Sequence, residues 1–183
     1  KGSAAVAVGI IGLPLKDVPT LATPSGLVGL DFRDEADTIN TLAKQLRQQG
    51  ADAIVVLIHQ GLYTTTKVGE KGCGQVSGDL LKILARLNPE VDLVVSGHTH
   101  WTYVCDYGEI DPSRPFLVTS AGLWGEYLTD IDLTIDPATH HVIAKSARNV
   151  PVQSETYAAA SGPVQVSSKV EGFTPRPDVA AYV

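Results

Sequence analysis

Two short apolar runs that end in histidine-bearing turns constrain the fold of this chain most strongly. The first, 53–58, is followed directly by His59, and the second, 91–96, is followed by His98 and His100. Apolar runs of this length without regular alternation are typical of central strands that are covered on both faces. Because open α/β sheets carry their functional residues at the carboxyl ends of such strands, the sequence predicts a site at this edge.

The segments around these runs predict parallel βαβ units. An apolar run over 4–13 reads as a further buried strand. A helix is predicted over about 34–49, where apolar residues recur at three- and four-residue steps, and another over about 77–87. Strands and helices therefore alternate through the first hundred residues, which indicates an α/β fold with a parallel sheet.

The chain changes character after residue 101. Polar and apolar residues alternate over 127–135, and a turn sequence follows at 136–139, which predicts antiparallel pairing. We therefore expect an α/β fold that becomes α+β in its C-terminal part, with strands over 102–105, 116–120, 127–135 and 141–146.

Composition excludes two classes of partner. The chain has 14 Lys and Arg against 20 Asp and Glu, a net charge of −6, and no basic cluster that would form a nucleic-acid surface. No apolar stretch approaches the roughly 18–20 residues of a membrane helix, so no membrane span is predicted. The 183 residues contain no methionine, and we expect them to be a segment of a longer protein.

Histidines at positions 59, 98 and 100 point to a metal site. Neutral imidazoles suit Zn, Mn, Fe or Co, and two histidines two residues apart in a turn can address two neighbouring ions. Two dications also need carboxylates to offset their charge. Asp52 and Asp92 begin their strands, some 16–20 Å from the histidine end, so the acids are expected from elsewhere. The alternative is that some of these histidines are hydrogen-bonded loop residues.

Other residues carry weaker predictions. His140 and His141 follow a probable hairpin turn and are expected to be exposed turn residues. Trp101, directly after His100, either walls a substrate cleft or packs against its own sheet.

Cys73 and Cys105 each follow a histidine-bearing strand end. The two loops can therefore meet on one side of the sheet, and a disulfide across 32 residues would contribute about 3–4 kcal/mol. Such a bond favours an exported protein, whereas the alternative is two unrelated buried thiols.

Three sequence motifs resemble the second half of a calcineurin-like metallophosphoesterase domain. They are Gly9-Ile-Ile-Gly-Leu13, the segment 51–61 that contains His59, and Asp92-Leu-Val-Val-Ser-Gly-His98-Thr-His100. More narrowly they resemble the exported 5′-nucleotidase / 2′,3′-cyclic phosphodiesterase branch, and Ser120-Ala-Gly-Leu-Trp-Gly125 matches that branch's usual continuation. The resemblance implies half of a four-layer αββα sandwich. Residues 1–150 would be the C-terminal half of a metallophosphatase domain, and 151–183 a linker or extended segment leading to a missing C-terminal domain.

The resemblance also implies a ligand set and an activity. Positions matching His59 and His98 ligate one metal in that family, and the position matching His100 ligates the other. The remaining ligands and the general acid lie upstream, so we expect no catalytic residue in this segment. The intact protein is expected to hydrolyse small-molecule phosphoesters or nucleotides with two divalent transition metal ions, in the periplasm or outside the cell. Its missing N-terminal half would complete the site, and this segment alone would be inactive.

Two alternatives remain open at this stage. The first is a non-catalytic module with an incomplete metal site. The second is a hydrolase that uses a single zinc held by His59, His98 and His100.

Overall fold

A five-stranded mixed sheet forms the centre of the fold. The structure is a computed structural model that describes residues 5–67, 69–153, 157–159, 162–165, 167–170 and 172–182. Strands β1, β2, β5 and β7 run parallel, and β6 pairs antiparallel with β7 at the edge, in the order β1-β2-β5-β7-β6. These strands comprise Val8–Leu13 (β1), Ala53–Ile58 (β2), Leu93–Ser96 (β5), Thr102–Asp106 (β6) and Leu117–Ala121 (β7).

Within the described part of the chain, three two-stranded antiparallel pairs accompany the sheet. The longest joins β8 to β9 with an irregularity at Thr134/Ile135, which confirms the predicted antiparallel pairing. The six strands involved are Tyr63–Thr64 (β3), Val76–Ser77 (β4), Tyr127–Asp136 (β8), His141–Pro151 (β9), Tyr157–Ala159 (β10) and Gly162–Val164 (β11). The last pair lies within the predicted linker over 151–183, part of which is outside the described residues.

The helices of the described residues comprise Val18–Leu21 (α1), Glu35–Gln48 (α2), Asp79–Leu84 (α3) and Pro177–Ala180 (α4), with a 3-10 turn at Pro24–Leu27. Helix α2 matches the helix predicted over 34–49, whereas α3 is shorter than the helix predicted over 77–87. The helix predicted over 77–87 starts late because Gly78 has a φ of 111°, and it ends early because Leu87 N–H donates to Leu84 in a tighter turn.

Asp34 fixes the start of α2, as predicted. Its carboxylate accepts the backbone N–H of Asp37 at 3.1 Å and the guanidinium of Arg86 at 2.9 Å. The hydrogen bond from Arg86 is the main reason that the pKa of Asp34 falls from 3.8 to about 2, and the Asp37 N–H lowers it further.

The two faces of the sheet are covered unequally. One face packs against α2 and α3 around a buried core that includes Ile39, Ile54 and Phe116. On the other face, the β8–β9 hairpin covers the β5-β7-β6 side, where Ala147 packs with Leu93, Val104 and Leu117.

The prediction that the run over 4–13 forms a buried strand is wrong for one of the two faces of β1. Val8 and Ile10 are 49% and 62% exposed, and Leu57 on the neighbouring strand is 43% exposed. These side chains share one face because β1 pairs with β2 in the register Ile10↔Val55 and Gly12↔Leu57. Since the β8–β9 hairpin covers only the other end of this face, an apolar strip remains open over β1 and β2.

The architecture confirms the predicted α/β class with antiparallel strands toward the C terminus. No helix among the described residues is long and apolar enough to cross a bilayer. The predicted boundary at residue 150 stays a prediction.

Candidate metal centre

His59 and His98 meet at the carboxyl edge of the parallel sheet. Strands β2 and β5 are neighbours, and their last residues, Ile58 and Ser96, are paired in register. His59 follows β2 directly, and His98 lies two residues beyond β5. The strand ends therefore bring the two imidazoles together although 39 residues separate them in the chain.

The two rings lie at a spacing that suits one metal ion. Nδ1 of His98 is 3.3 Å from Nε2 of His59, with the ring centroids 5.1 Å apart and the planes at 66°. Two nitrogens bound to one tetrahedral zinc at about 2.0–2.1 Å lie roughly 3.4 Å apart. Both side chains are exposed. The donor type and the spacing thus fit a shared divalent transition metal.

The turn that carries His98 and His100 has an unusual backbone. His98 has a φ of 67° and His100 a φ of 61°, both in the left-handed region that few non-glycine residues adopt. Thr99 lies between them. Its N–H donates to the carbonyl oxygen of Gly97 at 2.8 Å, and its hydroxyl donates to the carbonyl oxygen of Leu62 at 2.9 Å. These two bonds hold the turn in its strained form.

His100 is exposed at the end of this turn. Within the described part of the chain, no group of three or more His, Cys, Asp or Glu side chains is arranged to hold a metal. The structure thus brings together two of the three predicted ligands, and His100 extends from the same turn.

The two histidine turns are packed directly against each other. A Cβ at Gly61 would lie 2.2 Å from the carbonyl oxygen of Gly97, so only glycine allows this approach. Beneath the turns, the hydroxyl of buried Tyr103 accepts the N–H of Leu62 at 3.1 Å and lies 2.5 Å from the hydroxyl of Ser96. Burial raises the pKa of Tyr103. These contacts join the loops after β2 and β5 into one unit.

The carboxylates of Asp52 and Asp92 form hydrogen bonds at the opposite edge of the sheet, away from the histidine turns. Asp92 accepts the guanidinium of Arg47 at 2.7 Å and the N–H of Ile54 at 2.8 Å. Asp52 accepts the N–H of Ala7 at 2.8 Å and contacts Nδ1 of His140 at 2.7 Å. Both carboxylates are therefore engaged in hydrogen bonds at the edge of the sheet where β2 and β5 begin.

The His140 contact was not foreseen from the sequence. His140 is exposed in the β8–β9 turn, as predicted, but its ring ties that turn to a residue 88 positions earlier. Only the fold brings these two residues together, so no local signal in the sequence identifies the pair.

Cys73 and Cys105 form a disulfide in the structure. Both residues are buried, and the bond joins the loop between β3 and β4 to the strand that begins just after His100. The bond thus connects the segments that follow the two histidine turns.

A cleft of about 320 Å³ opens beside His98. Its lining includes Gln60, Gly61 and Thr99 from the histidine turns, together with Leu21 and Tyr63. The cleft is large enough for a small organic group next to the histidine pair.

Comparisons with known proteins identify the family. The profile of the calcineurin-like phosphoesterase family matches residues 6–102, more than half of the chain, and includes all three histidines. The chain therefore belongs to the calcineurin-like phosphoesterase family.

Two curated relatives are much longer than this chain. Endonuclease YhcR of Bacillus subtilis is 26% identical over 147 residues, which cover 80% of this chain and 11% of the relative. The snake venom 5′-nucleotidase of Naja atra is 30% identical over 132 residues, which cover 70% of this chain and 24% of the relative. The chain thus corresponds to between about a tenth and a quarter of these proteins.

A solved structure shares the fold. A putative 5′-nucleotidase from Staphylococcus aureus aligns with 95% of this chain and 30% of its own, with a TM-score of 0.62 and 19% sequence identity. At this identity the likeness establishes the metallophosphoesterase fold and nothing finer.

Proposed function

We propose that this chain forms one side of the active site of a metal-dependent phosphoester hydrolase that acts on nucleotides. The observation that carries the proposal is the 3.3 Å approach of His59 and His98 at the sheet edge, within a family of phosphoesterases. His59 and His98 would hold one divalent transition metal and His100 a second. When bound, such ions supply Lewis acidity for the phosphoryl oxygens and a hydroxide nucleophile at neutral pH.

The residues of this chain have positioning roles in the proposed reaction. The contact between Gly61 and Gly97 fixes the distance between the two histidine turns, and Tyr103 supports both from below. The carboxylate ligands are assigned to a segment outside these residues, because imidazole ligands carry no negative charge to offset that of two dications. The general acid is assigned to the same segment because the family resemblance implies it.

An upstream part of the same protein would complete the site. The open apolar strip formed by Val8, Ile10 and Leu57 supports this proposal, because exposed apolar faces of this kind mark packing surfaces. The relatives named as an endonuclease and a 5′-nucleotidase, both far longer than this chain, support it as well. The nucleotide substrate is proposed from the name of the venom relative, and the exported location from the disulfide.

The test uses the full-length protein with added Mn²⁺ or Zn²⁺ and AMP as substrate. We expect hydrolysis that is abolished by chelation and reduced more than tenfold by His100→Ala or His59→Ala (about 1.4 kcal/mol or more of transition-state stabilisation). His141→Ala is the matched control, because His141 is also exposed but begins β9 on the hairpin. Metal-dependent hydrolysis that survives His100→Ala with less than a tenfold loss would contradict the proposal.

Metal content separates this proposal from the two alternatives. Two ions per full-length protein support the binuclear site, whereas one ion, with hydrolysis by these 183 residues alone, would support the single-zinc hydrolase. A full-length protein that neither binds a metal nor gains thermal stability in micromolar Zn²⁺ would be a non-catalytic module.

A further inference from the structure

Gln60 is a buried polar residue beside the histidine pair. It follows His59 directly, its exposed fraction is only 7%, and it lines the same cleft as His98. Burial of an amide costs free energy unless its oxygen and its nitrogen both find hydrogen-bond partners. The partner that the Gln60 side chain has, and the one that it lacks, therefore indicate what the cleft binds.

The oxygen of the Gln60 amide is fixed by the turn itself. The backbone N–H of Gly61 donates to Oε1 of Gln60 at 3.2 Å, and the backbone carbonyl of Gln60 accepts the N–H of Gly97 at 3.2 Å. A backbone N–H is a donor only, so the oxygen of the amide must face Gly61 and the NH₂ group takes the other position. The fold thus sets the orientation of the amide.

The nitrogen of the amide has no such partner. No acceptor among the described residues lies within hydrogen-bond distance of Nε2. This atom is not sealed inside the protein, because the fully enclosed side-chain atoms without a partner in the described part of the chain belong to Glu90 and Thr119. Since Gln60 lines the cleft, its two N–H bonds are open to a ligand there. An amide nitrogen only donates, so that ligand must offer an acceptor.

The carboxylates of the cleft do not fill this role. Asp17 and Asp79 also line it, but both are exposed, and Asp79 accepts the ammonium group of Lys82 at 2.8 Å. The free donor therefore belongs to the buried wall of the cleft, whereas the acidic groups lie at its solvent-exposed side.

His98 indicates which acceptor reaches Gln60. In the proposed function this histidine holds a divalent metal, and the phosphoester binds at that metal. The phosphoryl oxygens carry negative charge, and hydrogen bonds to charged acceptors are roughly twice as strong as those between neutral groups. A phosphoryl oxygen is therefore the acceptor that best matches a donor in this position.

The cleft keeps its shape without a ligand. Tyr63, which also lines it, packs edge to face on Trp101 with ring centroids 5.5 Å apart, and the indole Nε1–H donates to the carbonyl oxygen of Thr64 at 3.1 Å. Of the two roles that the sequence allows for Trp101, the structure shows packing, here against β3. A donor in a cleft that is already formed loses little entropy when a ligand binds.

We propose that Gln60 binds the substrate by donating an amide N–H to a phosphoryl oxygen of the phosphoester. This proposal rests on the proposed phosphoesterase function and adds a substrate-binding residue to the three predicted metal ligands. The hydrogen bond would offset negative charge on the phosphoryl group from a side chain of this segment.

Gln60→Glu tests the donor while it preserves the contact that fixes the amide. A glutamate side chain has nearly the same shape and still accepts the N–H of Gly61, but its carboxylate has no N–H to donate. In the metal-loaded full-length protein we expect the Kd of inorganic phosphate, measured by calorimetry, to rise about tenfold or more. Metal content and Tm should stay at the wild-type values, because the histidines and the Gly61 contact are retained.

Two further variants separate the lost donor from the added charge. Gln60→Leu removes the amide without adding charge and should also weaken phosphate binding, by about fivefold or more. Gln75→Glu makes the same change of charge on an exposed residue just before β4. It should leave the phosphate Kd within about twofold of wild type, because exposed charges are screened by salt.

The outcomes distinguish this inference from the proposed function. A phosphate Kd within about twofold of wild type in Gln60→Glu would overturn the assignment. A loss of the same size in Gln75→Glu, or a loss in Gln60→Glu that Gln60→Leu does not share, would overturn it as well, because charge alone would then explain the effect. All three results leave the proposed hydrolase intact. If the wild-type protein binds phosphate in a Gln60-dependent way but does not hydrolyse AMP, the proposed function fails and the phosphate contact stands.

Discussion

Gly61 is the point at which the two histidine turns touch, and Gly61→Ala tests how closely the site depends on that contact. The added Cβ would lie 2.2 Å from the carbonyl oxygen of Gly97 and 2.4 Å from the hydroxyl oxygen of Thr99. Real Cβ atoms essentially never come within 3.0 Å of such atoms. The two turns must therefore move apart by about 0.8 Å or more, because the nearest obstacle is backbone and cannot rotate away.

The energetic cost follows from this displacement. Overpacking of a tight site costs about 1–3 kcal/mol. The same movement breaks the hydrogen bond from Thr99 to Leu62, which adds about 0.5–1.5 kcal/mol. We expect a total loss of about 2–4 kcal/mol in the free energy of unfolding, which lowers the Tm by about 5–15 °C for a chain of this size.

Gly61→Ala should also weaken metal binding, in addition to its effect on stability. His59 precedes Gly61 by two residues and His98 follows Gly97, so separating the turns widens the 3.3 Å spacing between the ring nitrogens. Metal sites tolerate errors of only about 0.5 Å, so we expect at least a tenfold loss in Zn²⁺ affinity at a temperature where the variant is folded.

The assay is urea unfolding followed by Zn²⁺ titration, with Gly12→Ala as the matched control. Gly12 lies in β1, at the same edge of the sheet, and a Cβ there meets nothing within 4 Å. The control should unfold at the wild-type urea concentration or slightly above it. A Gly61→Ala protein with wild-type stability and wild-type Zn²⁺ affinity would refute the claim that this contact fixes the spacing of the two histidine turns.

Three further predictions concern stability. Asp92→Ala should cost about 3 kcal/mol in urea unfolding, because it leaves the largely buried guanidinium of Arg47 without its carboxylate; a loss below about 1 kcal/mol would mean that the pair behaves as a surface ion pair. Reduction of the disulfide between Cys73 and Cys105 should lower the free energy of unfolding by about 3–4 kcal/mol, because the bond closes a loop with a separation of 32 residues. Identical urea unfolding curves with and without reductant would contradict this. The pKa of Asp34 is depressed in the folded protein to about 2, so its charge stabilises the fold above its usual value of 3.8, and that contribution is lost as the pH falls toward 2. Asp34→Asn should therefore be less stable than wild type at pH 7 and converge with it near pH 2, whereas a constant difference across this range would show that the charge is not involved.

The positions of the central strands along the chain were predictable because they depend on the local sequence. The apolar runs before His59 and His98 read as strands by composition, and β2 and β5 are found within those bounds or close to them. Helix α2 was predictable from its period and from its cap at Asp34. The parallel arrangement then brings the two histidines to one edge without further information.

Features that depend on distant residues were not predictable. The exposure of Ile10 depends on what covers β1, and nothing within an apolar strand reveals that. The contact of His140 with Asp52 and the approach of Gly61 to Gly97 both arise from tertiary packing. Sequence reasoning placed the histidines at this edge of the sheet, whereas the fold supplies the spacing between the rings of His59 and His98 and the cleft beside them.

The backbone of the histidine turn gives a separate argument for ligation. His98 and His100 both have φ near +60°, a conformation in which glycine fits without strain and a side chain costs about 1 kcal/mol or more. Folding alone would favour glycine at both positions, because the exposed imidazoles bury little surface in return. The presence of histidine at both positions therefore needs a gain outside the stability of the chain, and in the proposed function each of these two histidines obtains it by binding a metal ion. In that case Zn²⁺ should stabilise the wild-type protein, while His98→Gly should be at least as stable as wild type without metal and gain less from it.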